Sequence, residues 1–464
     1  MRRKEIDPNA ITQGVIWKQL IIFFIPILLQ SVFQQLFSIT DAVIVGRVVG
    51  KTALGAINST SNLIKLFINF FVGLCSGAAI VVGQAWGASD SGKVRRTVHT
   101  GTAISLVGGV ALAVLCVALT PVFMWIMRIP SDMLKLSSSY TRIYFLGVPG
   151  TFLYNMCAGI LRATGDSRRP FHYLIASLAV NVVLDLLLVM VMKTGVAGAA
   201  AATAAAQYVC GGLSLLRLCR TKSDIRVEPR SLKIMKEETL EILRLGIPIS
   251  LQGILYSVSN IALQSTVNSL GTDVIAGWSV HVKTDFLIWD VFDAFGIASS
   301  TFAAQNYGAG KTDRVKKSIN DSLVLGAGII ILLSIIIFVF IRPLSRLFVS
   351  DDAVIDISVY VSRLMAPFYI LYLFGVVYAS SIRGCGETLK PMIITLIGTC
   401  GFRLLWVALI HLFGGPTVFN VALGYPVSWF VQSAMMSVYF FFGKWRSRLY
   451  PAANGAGTDP SGDA

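Results

Sequence analysis

The stretch from Leu323 to Ile341, LVLGAGIIILLSIIIFVFI, is almost entirely apolar and contains no charged residue. A helix that crosses a membrane needs about 20 such residues. Similar stretches recur along the 464-residue chain, in which 55% of residues are hydrophobic and only 14% are charged. Because a soluble protein carries about 25% charged residues, this composition excludes a water-soluble multidomain protein and indicates a chain that crosses a membrane many times.

Twelve apolar stretches predict an all-α membrane protein with twelve transmembrane helices. They fall near residues 18–46, 52–84, 97–127, 133–163, 170–192, 195–217, 240–269, 273–306, 318–348, 353–383, 391–413 and 416–443. The charged segment 218–239 predicts a linker between two six-helix lobes, 18–217 and 240–443. Residues 1–17 form a short leading segment, and the Gly-, Ala- and Pro-rich end, 444–464, predicts a disordered tail.

Lys and Arg residues predict the orientation. If the amino terminus is cytoplasmic, 27 of the 39 basic residues fall on the cytoplasmic side, 7 on the other side and 5 within spans. This bias follows the positive-inside rule, so we expect a multi-pass protein of the cell membrane with both termini in the cytoplasm. It also explains the net charge of +15 without a nucleic-acid partner, since basic loops face anionic lipid.

Three motifs occur once in each half of the chain. Ile25-Pro26 recurs as Ile247-Pro248. The other two recur after 221 residues: GQAWGA at 83–88 as AQNYGA at 304–309, and LRATGD at 161–166 as IRGCGE at 382–387. Because each repeat holds an even number of spans, both halves enter the membrane in the same direction. The lobes should therefore be related by a pseudo-twofold axis along the membrane normal, with a cavity between them, as in transporters.

These motifs, together with DAVIVGR at 41–47, resemble the multidrug and toxic compound extrusion family over residues 15–445. The resemblance implies a two-lobed, twelve-helix secondary transporter. Such a transporter exports small organic compounds, often cationic, in exchange for protons or sodium ions by alternating access.

Asp41 is the sharpest candidate for a functional residue, because acids within spans are costly and usually functional. Gln34 and Ser38 precede it at helical spacing and form a polar stripe that must face protein or water. Asn181 and Asp185 lie four residues apart, on one face of span five, and Thr203 lies in the small-residue span six. By resemblance, Asp41, Asn181, Asp185 and Thr203 match the family's amino-terminal-lobe cation site. The alternative is that Asp41 pairs near the helix end with Arg47.

The coupling ion stays open between two alternatives. Two carboxylates in an apolar surrounding share one proton and titrate as a coupled pair. Alternatively, Asp41 and Asp185 serve as metal ligands and, with the Asn181 amide and the Thr203 hydroxyl, form an oxygen-rich sodium site. Asp41 maps near Leu263 and Asp185 maps to Trp406 in the second half, so we expect the ion to be handled in the first half.

Other polar and aromatic residues lie in the second half. Tyr256 and Tyr372 stand where some branches of the family carry acids, so a cation route through those two positions is not expected. We expect the remaining charged residues to form internal ion pairs, for instance Lys283 with Asp290; the others are Asp285, Asp293, Arg363 and Arg403. Ring faces attract organic cations, so we expect Tyr256, Trp289 and Tyr372 to contact substrate together with Gln34 and Ser38. The alternative is that these aromatic residues only pack within the lobe or lie at the membrane interface.

Two other functions were weighed. A flippase for lipid-linked oligosaccharides or other amphiphilic lipids can share this architecture, but it would favour more cations along the cavity. A membrane-embedded enzyme would need a nucleophile or metal cluster, and the seven scattered cysteines and four histidines form no such motif. The sequence contains no phosphate-binding loop, so neither ATP drive nor a cofactor is expected.

Overall fold

The computed structural model describes residues 11–449, and the regular structure in that range is helical. Residues 1–10 and 450–464, which include most of the predicted leading segment and disordered tail, lie outside it. The first lobe contains α1 (Ile16–Val48), α2 (Lys51–Gly87), α3 (Ser91–Ile126), α4 (Ser131–Ala163), α5 (Arg168–Asp185) with a π-helical continuation (Leu186–Val191), and α6 (Val196–Arg220).

The second lobe is also helical, and two of its spans are interrupted. A short 3₁₀ turn, Pro229–Ser231, lies in the linker. The lobe then contains α7 (Lys236–Asn268), α8 (Thr272–Thr284), α9 (Phe286–Gly308), α10 (Thr312–Arg346), α11 (Asp352–Met365), a 3₁₀ turn (Ala366–Phe368), α12 (Tyr369–Gly384), α13 (Leu389–Thr395), a π-helical segment (Leu396–Gly401), α14 (Phe402–Phe413), α15 (Val418–Phe442) and α16 (Trp445–Leu449).

The twelve predicted spans coincide with these helices to within a few residues. Within residues 11–449, eleven helical stretches are long and apolar enough to cross a membrane. The twelfth predicted span is α15, which has 25 residues and is therefore also long enough to cross. The all-α fold class is confirmed.

One span departs from the prediction. Residues 273–306 were expected to form one helix, but the helix breaks at Asp285, between α8 and α9. The predicted pairing of Lys283 with Asp290 is wrong because that pairing assumed an unbroken helix. Lys283 is exposed, and its ammonium lies 5.8 Å from the centre of the Phe348 ring.

The lobes meet through a symmetric pair of hydrogen bonds at one face, here named the linker face, which carries the turns at 88–90, 164–167, 309–311 and 385–388. Gln84 Nε2 donates to the carbonyl of Gly384 at 2.7 Å, and Gln305 Nε2 donates to the carbonyl of Ala163 at 2.6 Å. The second bond is the copy of the first after 221 residues. Both bonds use the repeated motifs, so these motifs close the linker face.

Glycine makes this approach possible. A Cβ added at Gly87 would collide with the carbonyl of Gln305, and one added at Gly308 would collide with the carbonyl of Gln84. A Cβ on either residue would therefore force the two helix ends apart.

Helix α1 contacts both lobes. Near the linker face, Phe23 packs against Phe302 with ring centres 5.8 Å apart, and Phe24 packs against Phe295 at 4.4 Å. Near the other end of α1, away from the linker face, Val45 is buried in the core of the first lobe. A change at the far end of α1 can therefore reach the second lobe.

The segment before α1 is held by Lys311, which precedes α10, and by Arg314 in the first turn of α10. Lys311 Nζ donates to the carbonyl of Thr12 at 2.8 Å. The Arg314 guanidinium donates to three further carbonyls, those of Ile11, Gln13 and Gly14. These two basic residues therefore anchor residues 11–14 to the second lobe.

We expect Gly87→Ala to open the linker face, because the added methyl group displaces the Gln305 carbonyl. In a cysteine-free background carrying Ala304→Cys, a buried interface position, a water-soluble maleimide should label the variant several-fold faster. Gly328→Ala is the matched control, since a Cβ there meets nothing within 4 Å and helical alanine is favoured by about 0.5–1 kcal/mol. Equal labelling rates in both variants would contradict this account of the closure.

Candidate functional site

The structure places Asp41 of α1 beside Asp185, the last residue of α5. Their carboxyl groups lie within hydrogen-bonding reach of each other. Asp185 is 1% exposed and Asp41 is half-buried. Arg47 is exposed, and no ion pair joins it to Asp41 among the residues described. Two carboxylates this close would repel each other, so the contact requires a proton or another cation between them.

Asn181 and Thr203 complete the pocket. With its amide nitrogen toward Asp185, Asn181 donates to Asp185 Oδ2 at 2.8 Å, and its oxygen accepts from the backbone N–H of Thr203 at 3.1 Å. Asn181 is fully buried. The Thr203 hydroxyl instead donates to the carbonyl of Ala199, at 3.0 Å. The amide thus ties α5 to α6 and orients one oxygen of Asp185.

Three further residues line this pocket and were missed from the sequence. Tyr140 of α4 lies close enough to interact electrostatically with both acids. Tyr144, one turn later, faces Asp41 and is in hydrogen-bonding contact with Gln207 of α6. Helical spacing could have found them, since Gln207 lies four residues after Thr203 and the tyrosines lie four apart.

The helix geometry changes at this pocket. α5 ends at Asp185 and continues as a π-helical segment over Leu186–Val191. π-helical segments are rare and are frequent at functional sites. The wider turn begins directly after the acid and alters the course of the span there.

The aromatic residues predicted to bind substrate lie together in the second lobe. Trp289 and Tyr372 pack with ring centres 5.3 Å apart, and Tyr256 is in hydrogen-bonding contact with Tyr372. Beneath them, the Arg403 guanidinium lies 5.3 Å from the Tyr256 ring centre and 4.5 Å from that of Tyr425. Arg403 is fully buried, so its charge is covered by rings.

This aromatic pocket carries two acids that solvent can reach and one half-buried cation, Arg383, which interacts with Tyr372 and donates to Gln252 Oε1 at 2.9 Å. Asp293 is exposed and interacts electrostatically with Asp290 and Tyr372. Asp290 is half-buried. Gln34 and Ser38, the other predicted substrate residues, are exposed on α1. The predicted substrate residues therefore fall into an aromatic group in the second lobe and a polar group on α1.

The chain was compared with known families and proteins. The MatE family model matches residues 26–187 and 248–409, one match in each lobe. This chain belongs to the MatE family. It is a multi-pass membrane protein of that transporter family. The probable multidrug resistance protein YoeA of Bacillus subtilis is 30% identical, over 92% of this chain and 94% of that protein. YpnP of the same organism, also described as a probable multidrug resistance protein, is 27% identical over 94% of this chain and 97% of that protein.

Solved structures show the same fold. An outward-facing multidrug resistance MATE family transporter superposes with a TM-score of 0.86 at 20% identity, covering 97% of this MatE protein and 100% of that chain. A MATE transporter in complex with MaL6 gives a TM-score of 0.89 at 21% identity, with the same coverage. The two-lobed, twelve-helix architecture predicted for this MatE protein is confirmed.

We expect Asn181→Leu to reduce efflux of a fluorescent organic cation by about tenfold or more in this MatE protein. The substitution removes the two hydrogen bonds of the Asn181 amide, to Asp185 Oδ2 and to the Thr203 N–H, and the loss of a buried hydrogen-bond partner costs about 1–3 kcal/mol. Efflux is measured in cells matched for the amount of membrane protein.

Asn155→Leu is the matched control, because the Asn155 amide only donates to the carbonyl of Thr151 in its own helix. If both variants lose activity equally, the Asn181 contact has no specific role.

Proposed function

We propose that this protein is a secondary active multidrug efflux antiporter that exchanges protons for organic, often cationic, compounds. One observation carries the proposal: two acids from different helices, Asp41 and Asp185, meet in a largely buried pocket of one lobe. Two buried carboxyl groups in contact bind and release one proton as a pair. The family membership and the multidrug resistance relatives support export as the direction of transport.

The oxygen atoms in the pocket favour a proton over sodium. A sodium ion needs several oxygen ligands spread around it, whereas the two carboxyl groups here lie within hydrogen-bonding reach of each other. The unpartnered oxygens of the two acids are Asp41 Oδ1 and Asp185 Oδ1. Two carboxyl groups in such contact bind one proton between them without any further ligand.

The closed linker face supports alternating access. Basic side chains such as Lys93, Arg96 and Lys311 lie at this face, which we therefore assign to the cytoplasm, with both termini. The reciprocal bonds of Gln84 and Gln305 then close the cytoplasmic side. Protonation of the Asp41–Asp185 pair changes how the C-terminal half of α1 packs. Because α1 also packs on the second lobe, the proton and the exported compound are coupled.

The exported compound is assigned to the aromatic pocket of the second lobe. Trp289 and Tyr372 offer ring faces, which attract organic cations, and Asp290 and Asp293 supply negative charge. Two cations lie beside them: Arg403 is buried under Tyr256 and Tyr425, and Arg383 donates to Gln252. A pocket with ring faces and acids that solvent can reach suits an organic cation better than the pyrophosphate of a lipid-linked sugar.

Proteoliposomes that contain the protein and a fluorescent organic cation should move that cation when a proton gradient is imposed and not when a sodium gradient is imposed. Asp41→Asn should abolish the proton-driven movement, since an amide cannot share the proton. Asp132→Asn, an exposed acid at the start of α4, should transport like the wild type. Sodium-driven transport, or full proton-driven transport by Asp41→Asn, would refute the proposal.

Asp293→Asn should weaken the binding of a monovalent organic cation about three- to tenfold and leave a neutral analogue of the same size nearly unaffected. The reason is the loss of one negative charge at the aromatic pocket, an interaction of about 1 kcal/mol where water is present. Binding is measured by fluorescence polarisation on purified protein. If affinity for a phosphorylated amphiphile rises and that for the cation stays unchanged, lipid flipping is the better assignment.

A further inference from the structure

Asp285 lies where two spans of the second lobe are interrupted. It separates α8 from α9, and its backbone angles, φ −97° and ψ 0°, are not helical. The neighbouring span is interrupted by the 3₁₀ turn Ala366–Phe368, after which α12 starts at Tyr369. The Tyr369 hydroxyl donates to Asp285 Oδ2 at 3.0 Å. One hydrogen bond therefore joins the two breaks. Interrupted helices within a membrane commonly form ion sites.

This arrangement is specific to the second lobe. The repeat offset of 221 places Ile64 and Val148 at the corresponding positions of the first lobe. Both are buried apolar residues, and they lie inside the unbroken helices α2 and α4. Pro367 accounts for the interruption before α12, but the residues around Asp285 include neither proline nor glycine. The break at Asp285 is therefore associated with its polar contacts.

A histidine and further donors surround the Asp285 carboxyl group. His281 Nε2 lies 3.7 Å from Oδ2, and Trp289 Nε1 donates to the same oxygen at 3.0 Å. On its other side, His281 Nδ1 lies 2.8 Å from Ser362 Oγ of α11. Asp285 is 4% exposed and His281 is 3% exposed. The two side chains thus form a buried acid–base pair that contacts α9, α11 and α12.

The charged groups nearby leave the pair without a permanent counterion. Besides His281, the titratable groups that face Asp285 are Tyr369 and Tyr425 of α15. Cations of the neighbouring helices have other contacts: Lys283 with Phe348, Arg363 with Phe338, Arg403 with Asn260 and Ser428, Arg342 with Asp356, and Arg346 with Asp352. The next acids on α9, Asp290 and Asp293, interact with each other. A net negative charge on the buried pair would therefore be uncompensated and costly.

The pair is too buried for an organic cation and has the wrong atoms for a metal ion. Trp289 Nε1 can only donate a hydrogen bond, and Oδ2 already accepts from both Trp289 and Tyr369. Oδ1 of Asp285 has no hydrogen-bond partner among the described residues. A single proton, by contrast, makes the buried pair neutral.

We propose that Asp285 and His281 form a second proton-binding site, in the second lobe, with the proton on the Asp285 carboxyl group. The protonated pair is neutral while the two breaks are closed. When the transport cycle moves α8 and α11 relative to α9 and α12, water reaches the pair and the proton leaves to solvent. The inference rests on the proposed proton coupling and adds one proton to each transport cycle.

The first test is spectroscopic and does not depend on transport. In pH-difference infrared spectra of the full chain in lipid, a protonated carboxyl group gives its own carbonyl band. Asp285→Asn should remove one such band. Tyr369→Phe, which keeps the ring and removes one donor to Oδ2, should shift that band to higher frequency. Wild-type spectra in both variants would overturn the proposal. If Asp285→Asn does not fold, Tyr369→Phe alone decides, because a purely structural tyrosine would leave the band in place.

The second test counts protons. The reversal potential of cation transport in proteoliposomes gives the number of protons exchanged per substrate, and Asp285→Asn should lower that number by about one. An unchanged number would contradict release from this site. Asp41→Asn separates the two claims: if it transports with full coupling, the proposed function fails, whereas the Asp285 band reports independently on the second-lobe site.

Discussion

The contact between Asp41 and Asp185 is the constraint on which the rest of the account depends. Carboxylates are costly away from water, and two of them in contact are stable only when a proton or another cation lies between them. The neighbouring groups of the first lobe match this requirement. Asn181 donates to Asp185, the two tyrosines of α4 lie beside the acids, and the π-helical turn begins immediately after Asp185. The pocket to which we assign the coupling proton is therefore built from helices α1, α4, α5 and α6.

The shared helix α1 gives this pocket a mechanical connection to the second lobe. The C-terminal half of α1 places Asp41 beside Asp185 of α5, while the N-terminal half packs Phe23 and Phe24 against α9. Arg314 binds the segment before it. At the linker face the repeated glutamines close the lobes against each other, and the glycines there leave no room for a side chain. Local protonation can thus alter the contact between lobes without a long chain of intermediates.

Much of this architecture follows from the sequence. A segment that crosses lipid must be apolar over its whole length and must satisfy its backbone hydrogen bonds internally, as a helix does. All twelve spans, the two lobes and the repeated motifs were predicted, and the acids at 41 and 185 were identified from their cost in an apolar span. The break at Asp285 could not be predicted, since neither proline nor glycine marks it. It depends on contacts with Trp289 and Tyr369, of which Tyr369 lies 84 residues away. The same limit explains why Lys283 was wrongly paired with Asp290.

The most direct measurement is the distance between the Asp41 and Asp185 carboxyl groups in structures of the protein determined in lipid at acidic and at alkaline pH. The account predicts contact between the two groups at acidic pH and separation at alkaline pH, where the shared proton is lost and the charges repel. Contact that persists unchanged at alkaline pH, or carboxyl groups that lie apart at both, would contradict the claim that a proton joins them.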